Sequence, residues 1–179
     1  MNSQNLDVDI QLGNMEDGYP TKKEFQNWVA CTLDCALNST SDSSPSNHQQ
    51  TIELTIRLVD EEEGEKLNQT YRGSSGATNV LSFPFENLEH IPDELNLSLL
   101  GDIVICVPVV KQEARAQNKK DINHWAHLTV HGTLHLLGYD HINDKDARIM
   151  ENLETRILNT LGFPDPYIFE PSKTTSTDF

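Results

Sequence analysis

The sequence has 179 residues, of which 36% are apolar, and a formal net charge of −15. This length suits one domain, and the acidity argues against a protein that coats nucleic acid through lysine and arginine side chains. No apolar run approaches the ~18 residues of a membrane-spanning helix, and the start of the chain lacks the basic residues of a secretory signal. Its three cysteines, an odd number, favour a reducing compartment, so we expect a cytoplasmic protein without a membrane partner.

The first half of the chain predicts two strands with a helix between them. Apolar and polar residues alternate over residues 6–12 and again over 52–58, which is typical of strands with one buried face. Between them, the capping-box pattern at 21–24 precedes an amphipathic stripe that predicts a helix to about Leu37. Residues 38–50 are rich in Ser and Asn and contain no apolar residue, so we expect a surface loop there.

The middle of the chain predicts a short helix and two further strands. Asp60 and three following glutamates form an N-cap with an acidic first turn, and this helix is expected to run towards Leu67. Residues 78–83 are β-branched and aromatic and end at Pro84, which indicates a third strand or a sheet edge. The nearly continuous apolar run at 100–107 is typical of an interior strand.

The second half predicts three consecutive helices. Their expected ranges are about 108–118, about 122–137, where Gly138 stops the helix, and about 144–161. The order of elements predicts an α+β fold, a single domain over residues 1–168 with a small mixed β-sheet covered by helices. The polar residues 169–179 are expected to form a flexible tail.

Five of the seven histidines fall within eighteen residues, at His124, His127, His131, His135 and His141. On a helix the first four share one narrow stripe, while apolar residues cover much of the remaining surface. Such a helix is expected to be central and buried, with its histidines facing the interior or a cleft. Core histidines held by ordinary hydrogen bonds are the alternative, but several adjacent buried imidazoles would compete for partners.

The spacing of the last three histidines is that of a metal site. His131 and His135 are one helical turn apart, and Gly138 allows a left-handed helix end that brings His141 back as a third ligand. Three neutral imidazoles leave a tetrahedral ion one open position, which is typical of a catalytic site. We expect one Zn²⁺ per chain, although imidazole also suits nickel, copper and iron.

The same spacing occurs in the metzincin peptidases, with one difference. Those enzymes carry a glutamate directly after the first histidine as the general base, whereas this chain has Gly132. A peptidase reaction would need a carboxylate from elsewhere in the fold. A metallopeptidase therefore stays open as an alternative function.

The histidine motif and four further blocks resemble the YbeY family of metal-dependent endoribonucleases. The blocks are 67–72 (LNQTYR), 78–85 (TNVLSFPF), 99–105 (LLGDIVI), 124–127 (HWAH) and 131–141 (HGTLHLLGYDH). Many members have Asp where Asn79 stands. The resemblance implies metal binding by His131, His135 and His141, a functional Arg72, cleavage of single-stranded RNA, maturation of the 16S rRNA 3′ end and ribosome quality control.

The residues themselves are compatible with that chemistry. A guanidinium such as that of Arg72 offers a planar set of donors that suits phosphate, and Lys111, Arg115, Lys119 and Lys120 could add a local basic face. The general base stays open between a metal-bound hydroxide and Asp140, and attack by the 2′-hydroxyl of the RNA is equally open. We expect RNA rather than DNA as substrate, and the ribosome or its proteins as partners. A ribosome-associated factor without enzymatic activity is the second alternative.

Overall fold

The computed structural model describes residues 5–13, 17–37, 51–85 and 97–168. In this part of the chain the strands are β1 Asn5–Leu12, β2 Thr51–Val59, β3 Val80–Pro84 and β4 Leu97–Cys106. The helices described are α1 Lys22–Leu37, α2 Glu61–Arg72, α3 Val107–Ala116, α4 Asp121–Leu136 and α5 Asp144–Thr160. The loop predicted at 38–50 and the tail predicted at 169–179 lie outside the described residues.

The strands form a mixed sheet in the order β1-β2-β4-β3, which confirms the predicted α+β class. β1, β2 and β4 run parallel, while β3 is antiparallel to β4 and lies at the sheet edge. Parallel neighbours require crossover connections, and α1 makes the one between β1 and β2. Pro84 ends β3 at this edge, where the missing amide donor of proline does not interrupt an inner ladder.

The two faces of the sheet are covered unequally because successive side chains alternate between them. Ile56, Ile103 and Ile105 are fully buried in the main core, which α1, α4 and α5 complete. Val104 and Cys106 belong to a smaller cluster on the opposite face, against Leu67 of α2. Helix α4, which carries four of the five clustered histidines, therefore packs against the better covered face.

Local capping explains where the first two helices begin. Thr21 and Glu24 form the predicted capping box, with the Thr21 amide donating to the Glu24 carboxylate over 2.7 Å. The Asp60 side chain accepts from the Glu63 amide over 2.8 Å at the start of α2. Both predicted helix starts are confirmed.

The end of α2 differs from the prediction. The helix continues past Leu67 to Arg72 and ends where Gly73 adopts a left-handed conformation, with φ +66°. Because its last turn is mostly polar and exposed, the apolar periodicity stops before the helix does. Arg72 is therefore the last residue of a helix and is not part of the turn that follows.

Helix α4 is the central buried helix that the sequence predicts. It packs against α1, α3, α5 and the β3–β4 edge of the sheet. A Cβ atom added at Gly132 would lie 2.9 Å from Cγ2 of Ile103, so the helix approaches β4 more closely than a side chain at this position permits. None of the helices in the described ranges is both long and apolar enough to cross a membrane.

Candidate metal centre

The structure brings His131, His135 and His141 together. One ring nitrogen from each lies within 4.8 Å of the others, and Nε2 of His131 lies 3.1 Å from Nε2 of His135. In a tetrahedral site with metal–nitrogen bonds of about 2.0–2.1 Å, the ligand nitrogens stand about 3.3 Å apart. The His131–His135 pair is therefore close to this spacing, and the three imidazoles together form a group that could hold one small divalent ion.

A helix-ending motif places the third histidine. Gly138 has φ +91° and donates to the carbonyl of His135 over 3.0 Å, while Tyr139 donates to the carbonyl of Leu134 over 3.1 Å. This pair of hydrogen bonds is the Schellman motif, in which a left-handed residue turns the chain back on the helix. The predicted left-handed helix end at Gly138 is confirmed, and the turn brings His141 beside the other two rings.

The site contains a carboxylate that the sequence analysis missed. Glu154 of α5 is fully buried, and its Oε1 accepts from Nδ1 of His131 over 2.6 Å. Its Oε2 lies 3.3 Å from Nε2 of His127 and also accepts from the hydroxyl of Tyr167. Because Nδ1 of His131 carries the donated proton, Nε2 keeps its lone pair and faces the other two histidines.

The titration behaviour of these groups suits cation binding. Burial alone would raise the pKa of Glu154, but hydrogen bonds from His127 and His131 and their charges outweigh it and lower this pKa to about 2. Burial, together with His131 and His141, lowers the pKa of His135 from its ordinary value. At neutral pH the site thus holds an ionised carboxylate behind imidazoles whose neutral form is the one that binds metals.

A second group of ligand atoms shares His131. Atoms of His127, His131 and Glu154 also lie within 4.8 Å of one another. An ion between them would have to replace the protons that now join both imidazoles to the buried carboxylate. An ion held by the first group leaves both of these hydrogen bonds to Glu154 in place.

Arg72 lies at the same cleft as the histidines. A cavity of about 430 Å³ is lined by Arg72, Ser82, Tyr139 and Asp140 as well as by His135 and His141. Arg72 is exposed, and its guanidinium makes no hydrogen bond or ion pair with any residue in the described ranges. The structure therefore places this predicted site residue beside two of the predicted ligands, with its donors available to a ligand in the cleft.

Gly132 excludes the general base of the metzincin peptidases. A Cβ atom built on Gly132 would point at Ile103, and it would lie 3.3 Å from Oγ of Ser82. A glutamate there would force Ile103 or the helix to shift. Asp140 is the carboxylate that lines the cleft, and its Oδ1 accepts from the amide of His141 over 2.7 Å.

The predicted basic face is partly engaged in local contacts. Lys111 donates to the carbonyl of Asp17 over 3.4 Å, and Lys119 donates to the carbonyl of Pro166 over 2.6 Å. Arg115 and Lys120 are exposed. The four cations therefore do not act as one free surface.

Comparisons with known proteins agree with the resemblance of the motifs. The family model described as Endoribonuclease YbeY matches residues 12–162. The Endoribonuclease YbeY of Colwellia psychrerythraea strain 34H is 50% identical over 161 residues, which cover 90% of this chain and 96% of that protein. The solution structure of TM1509 from Thermotoga maritima has a TM-score of 0.50 and 23% identity, and the match covers 90% of this chain and 99% of that one. The last comparison supports the fold alone.

The geometry predicts that His135→Ala loses the metal. The wild-type protein should contain about one ion per chain, and two remaining imidazoles should not retain it through dialysis. His124→Ala is the matched control, because this histidine lies on the same helix but outside the three-ligand group. Elemental analysis measures the metal content of the dialysed proteins. One metal ion per chain in the His135→Ala protein would contradict the ligand set.

We predict that Glu154→Gln weakens metal binding about 10–100-fold. The carboxylate of Glu154 fixes the tautomer and orientation of His131, and an amide at this position does not. Chelator competition gives the dissociation constant, and thermal unfolding without metal reports any loss of fold. Glu151→Gln, an exposed position on the same helix, serves as the control. A folded Glu154→Gln protein that binds the metal with wild-type affinity would refute this role of Glu154 in orienting His131.

Proposed function

The chain belongs to the endoribonuclease YbeY family, and we propose that it is a metal-dependent endoribonuclease that cuts single-stranded RNA. We place it in the maturation of the 16S rRNA 3′ end and in ribosome quality control, as the family resemblance implies. The observation that supports this function most directly is the shared cleft, where an arginine without a hydrogen-bond or ion-pair partner among the described residues lies beside two of three clustered histidines. A guanidinium next to a cation site is suited to a phosphodiester, because both groups attract its negatively charged oxygens.

The proposed ligands are His131, His135 and His141, and the proposed metal is one Zn²⁺ per chain. Three imidazole nitrogens with no charged ligand in the group suit zinc, and the donor spacing fits a small tetrahedral ion. When bound, the metal supplies Lewis acidity beside the scissile phosphate. Glu154 contributes through His131, which it holds in the tautomer that presents Nε2.

Arg72 is proposed to bind the scissile phosphate. Its position at the end of α2, followed by the left-handed Gly73, extends the side chain from a fixed helix into the cleft. The planar donors can contact two phosphate oxygens at once, and they offset the charge that develops in the transition state. Asp140 is the proton acceptor within the cleft, for an attacking water or for the 2′-hydroxyl of the RNA.

The proposed partners are the ribosome or its basic proteins, in the cytoplasm. The net charge of −15 gives the chain little long-range attraction for RNA and favours a positively charged protein partner. Part of this negative charge lies on the less covered face of the sheet, where the exposed residues Asp9 and Asp102 flank Thr55 in the strand register. None of the three cysteines forms a disulfide, which suits a reducing compartment.

We predict that Arg72→Glu abolishes RNA cleavage without loss of metal, because the reversed charge repels the phosphate while the histidines are untouched. Lys66→Glu makes the same charge change at an exposed position of the same helix and should keep wild-type cleavage. The assay follows a labelled single-stranded RNA with the metal-loaded proteins, and a peptide library under the same conditions tests the metallopeptidase alternative. Wild-type cleavage by Arg72→Glu would contradict the role, and peptide turnover without RNA turnover would refute the proposed function.

We also predict that the isolated protein binds RNA weakly and with a shallow dependence on salt. Each phosphate neutralised on a single strand contributes about 0.7 to the slope of log affinity against log salt concentration. We expect on the order of two or three such contacts, centred on the cleft, with delivery of the RNA by a partner. Titrations of labelled RNA at several salt concentrations measure the slope, and a value that requires eight or more contacts would contradict delivery by a partner.

A further inference from the structure

A second cavity adjoins the histidine site and has no part in the function proposed above. It has a volume of about 350 Å³ and is lined by Asn79, Glu113, His124, His127 and Tyr167, among others, and by His131 itself. A neighbouring cavity of about 280 Å³ shares His124 and His127 with it. The larger volume is within the range of small-molecule sites, about 300–1,000 Å³.

A fixed carboxylate lines this cavity. Oε2 of Glu113 accepts from Nε2 of His124 over 2.7 Å and from Nδ2 of Asn79 over 3.0 Å. The amide of Asn79 is itself oriented, because its Oδ1 accepts from the Val80 amide over 2.7 Å. Burial would raise the pKa of Glu113, but the hydrogen bonds from His124 and Asn79 hold it below the ordinary value. With its side chain 33% exposed, Glu113 offers an oriented, ionised acceptor to the cavity.

His124, which also lines the cavity, has a buried polar atom without a partner among the described residues. The residue is 4% exposed, and its Nδ1 is the one buried side-chain nitrogen or oxygen in the described part of the chain that has no hydrogen bond. Buried polar atoms are almost always paired in native proteins, so this nitrogen, on a residue that lines the cavity, needs a partner that the described residues do not supply. In the tautomer that donates from Nε2 to Glu113, Nδ1 is an acceptor.

The cavity follows the same helix as the metal site. The ring centroids of His124 and His127 are 6.3 Å apart, those of His127 and His131 are 6.2 Å apart, and those of His131 and His135 are 4.6 Å apart. The ring of Tyr167 meets that of His127 edge to face at 5.6 Å. An RNA strand whose phosphate is bound in the cleft would therefore place an adjacent nucleotide at this cavity. The base of that nucleotide would meet planar side chains.

We propose that this cavity binds a base of single-stranded RNA next to the cleaved bond, and that it prefers bases with an exocyclic amino group over uracil. Cytosine, adenine and guanine can donate from that amino group to Glu113, whereas uracil would place a carbonyl oxygen against the carboxylate. A phosphate would be repelled by the same charge. The assignment rests on the proposed function, because it takes RNA to be the molecule that occupies the cleft.

Binding of uncleavable trinucleotides tests the subsite without any catalytic step. The probes are 2′-O-methyl trinucleotides of cytidine and of uridine, and the readout is the NMR signals of the His124 and His127 imidazoles. We expect the cytidine probe to shift both signals with an affinity at least about tenfold higher than that of the uridine probe. Glu113→Gln should remove this difference, and Glu62→Gln, an exposed position on α2, should keep it.

A second variant keeps the test decisive if Glu113→Gln fails to fold. Gln117 lines both cavities and is half-buried, so Gln117→Trp should fill the space and abolish the cytidine-dependent shifts. Equal responses to the two probes, or no response of the two imidazoles to the cytidine probe, would overturn the subsite.

Cleavage of matched RNAs separates this inference from the proposed function. The RNAs differ only by cytidine or uridine at each position beside the cut. We expect a change of about tenfold at one position for the wild type and none for Glu113→Gln. Cleavage that ignores the base overturns the subsite and leaves the endoribonuclease intact. No cleavage of any RNA refutes the proposed function, while the trinucleotide titration still decides whether the cavity selects a base.

Discussion

The hydrogen bond from His131 to the buried carboxylate of Glu154 is the contact on which the candidate site depends. A fully buried carboxylate is costly unless several donors satisfy it, and here His127, His131 and Tyr167 all contact it. The packing of α5 against α4 makes this contact possible, since neighbouring residues of α5 such as Leu153 and Ile157 belong to the main core. The fold therefore sets the tautomer of His131, and through it the direction in which Nε2 faces.

Close packing of α4 on the sheet decides which chemistry the histidine motif can support. At Gly132 the helix lies so near Ile103 that a side chain would force Ile103 or the helix to shift, and the position of the peptidase general base holds a glycine. The open side of the histidine cluster faces Arg72 and Asp140 instead. The same spacing of three histidines is thus combined with an arginine, the proposed phosphate-binding group, and this combination differs from the site of a metzincin peptidase.

Local patterns were sufficient to predict most of the fold and the three clustered histidines. Gly138 and the capping box at Thr21 act through neighbouring residues, so a single sequence reveals them. Glu113 and Glu154 act across elements and have no local motif. A signal for Glu154 existed, because it lies four residues after Met150 and four before Leu158, on the buried stripe of α5. An acidic residue on an apolar stripe indicates a buried partner, and that partner is identified only when α5 is packed against α4.

Anomalous diffraction at the zinc edge from crystals of the metal-loaded protein tests the central claim most directly. We expect one strong peak about 2.0–2.1 Å from a ring nitrogen of each of His131, His135 and His141. Glu154 should remain outside the coordination shell and bonded to Nδ1 of His131. A peak between His127, His131 and Glu154, the second group of ligand atoms, would contradict the site as described.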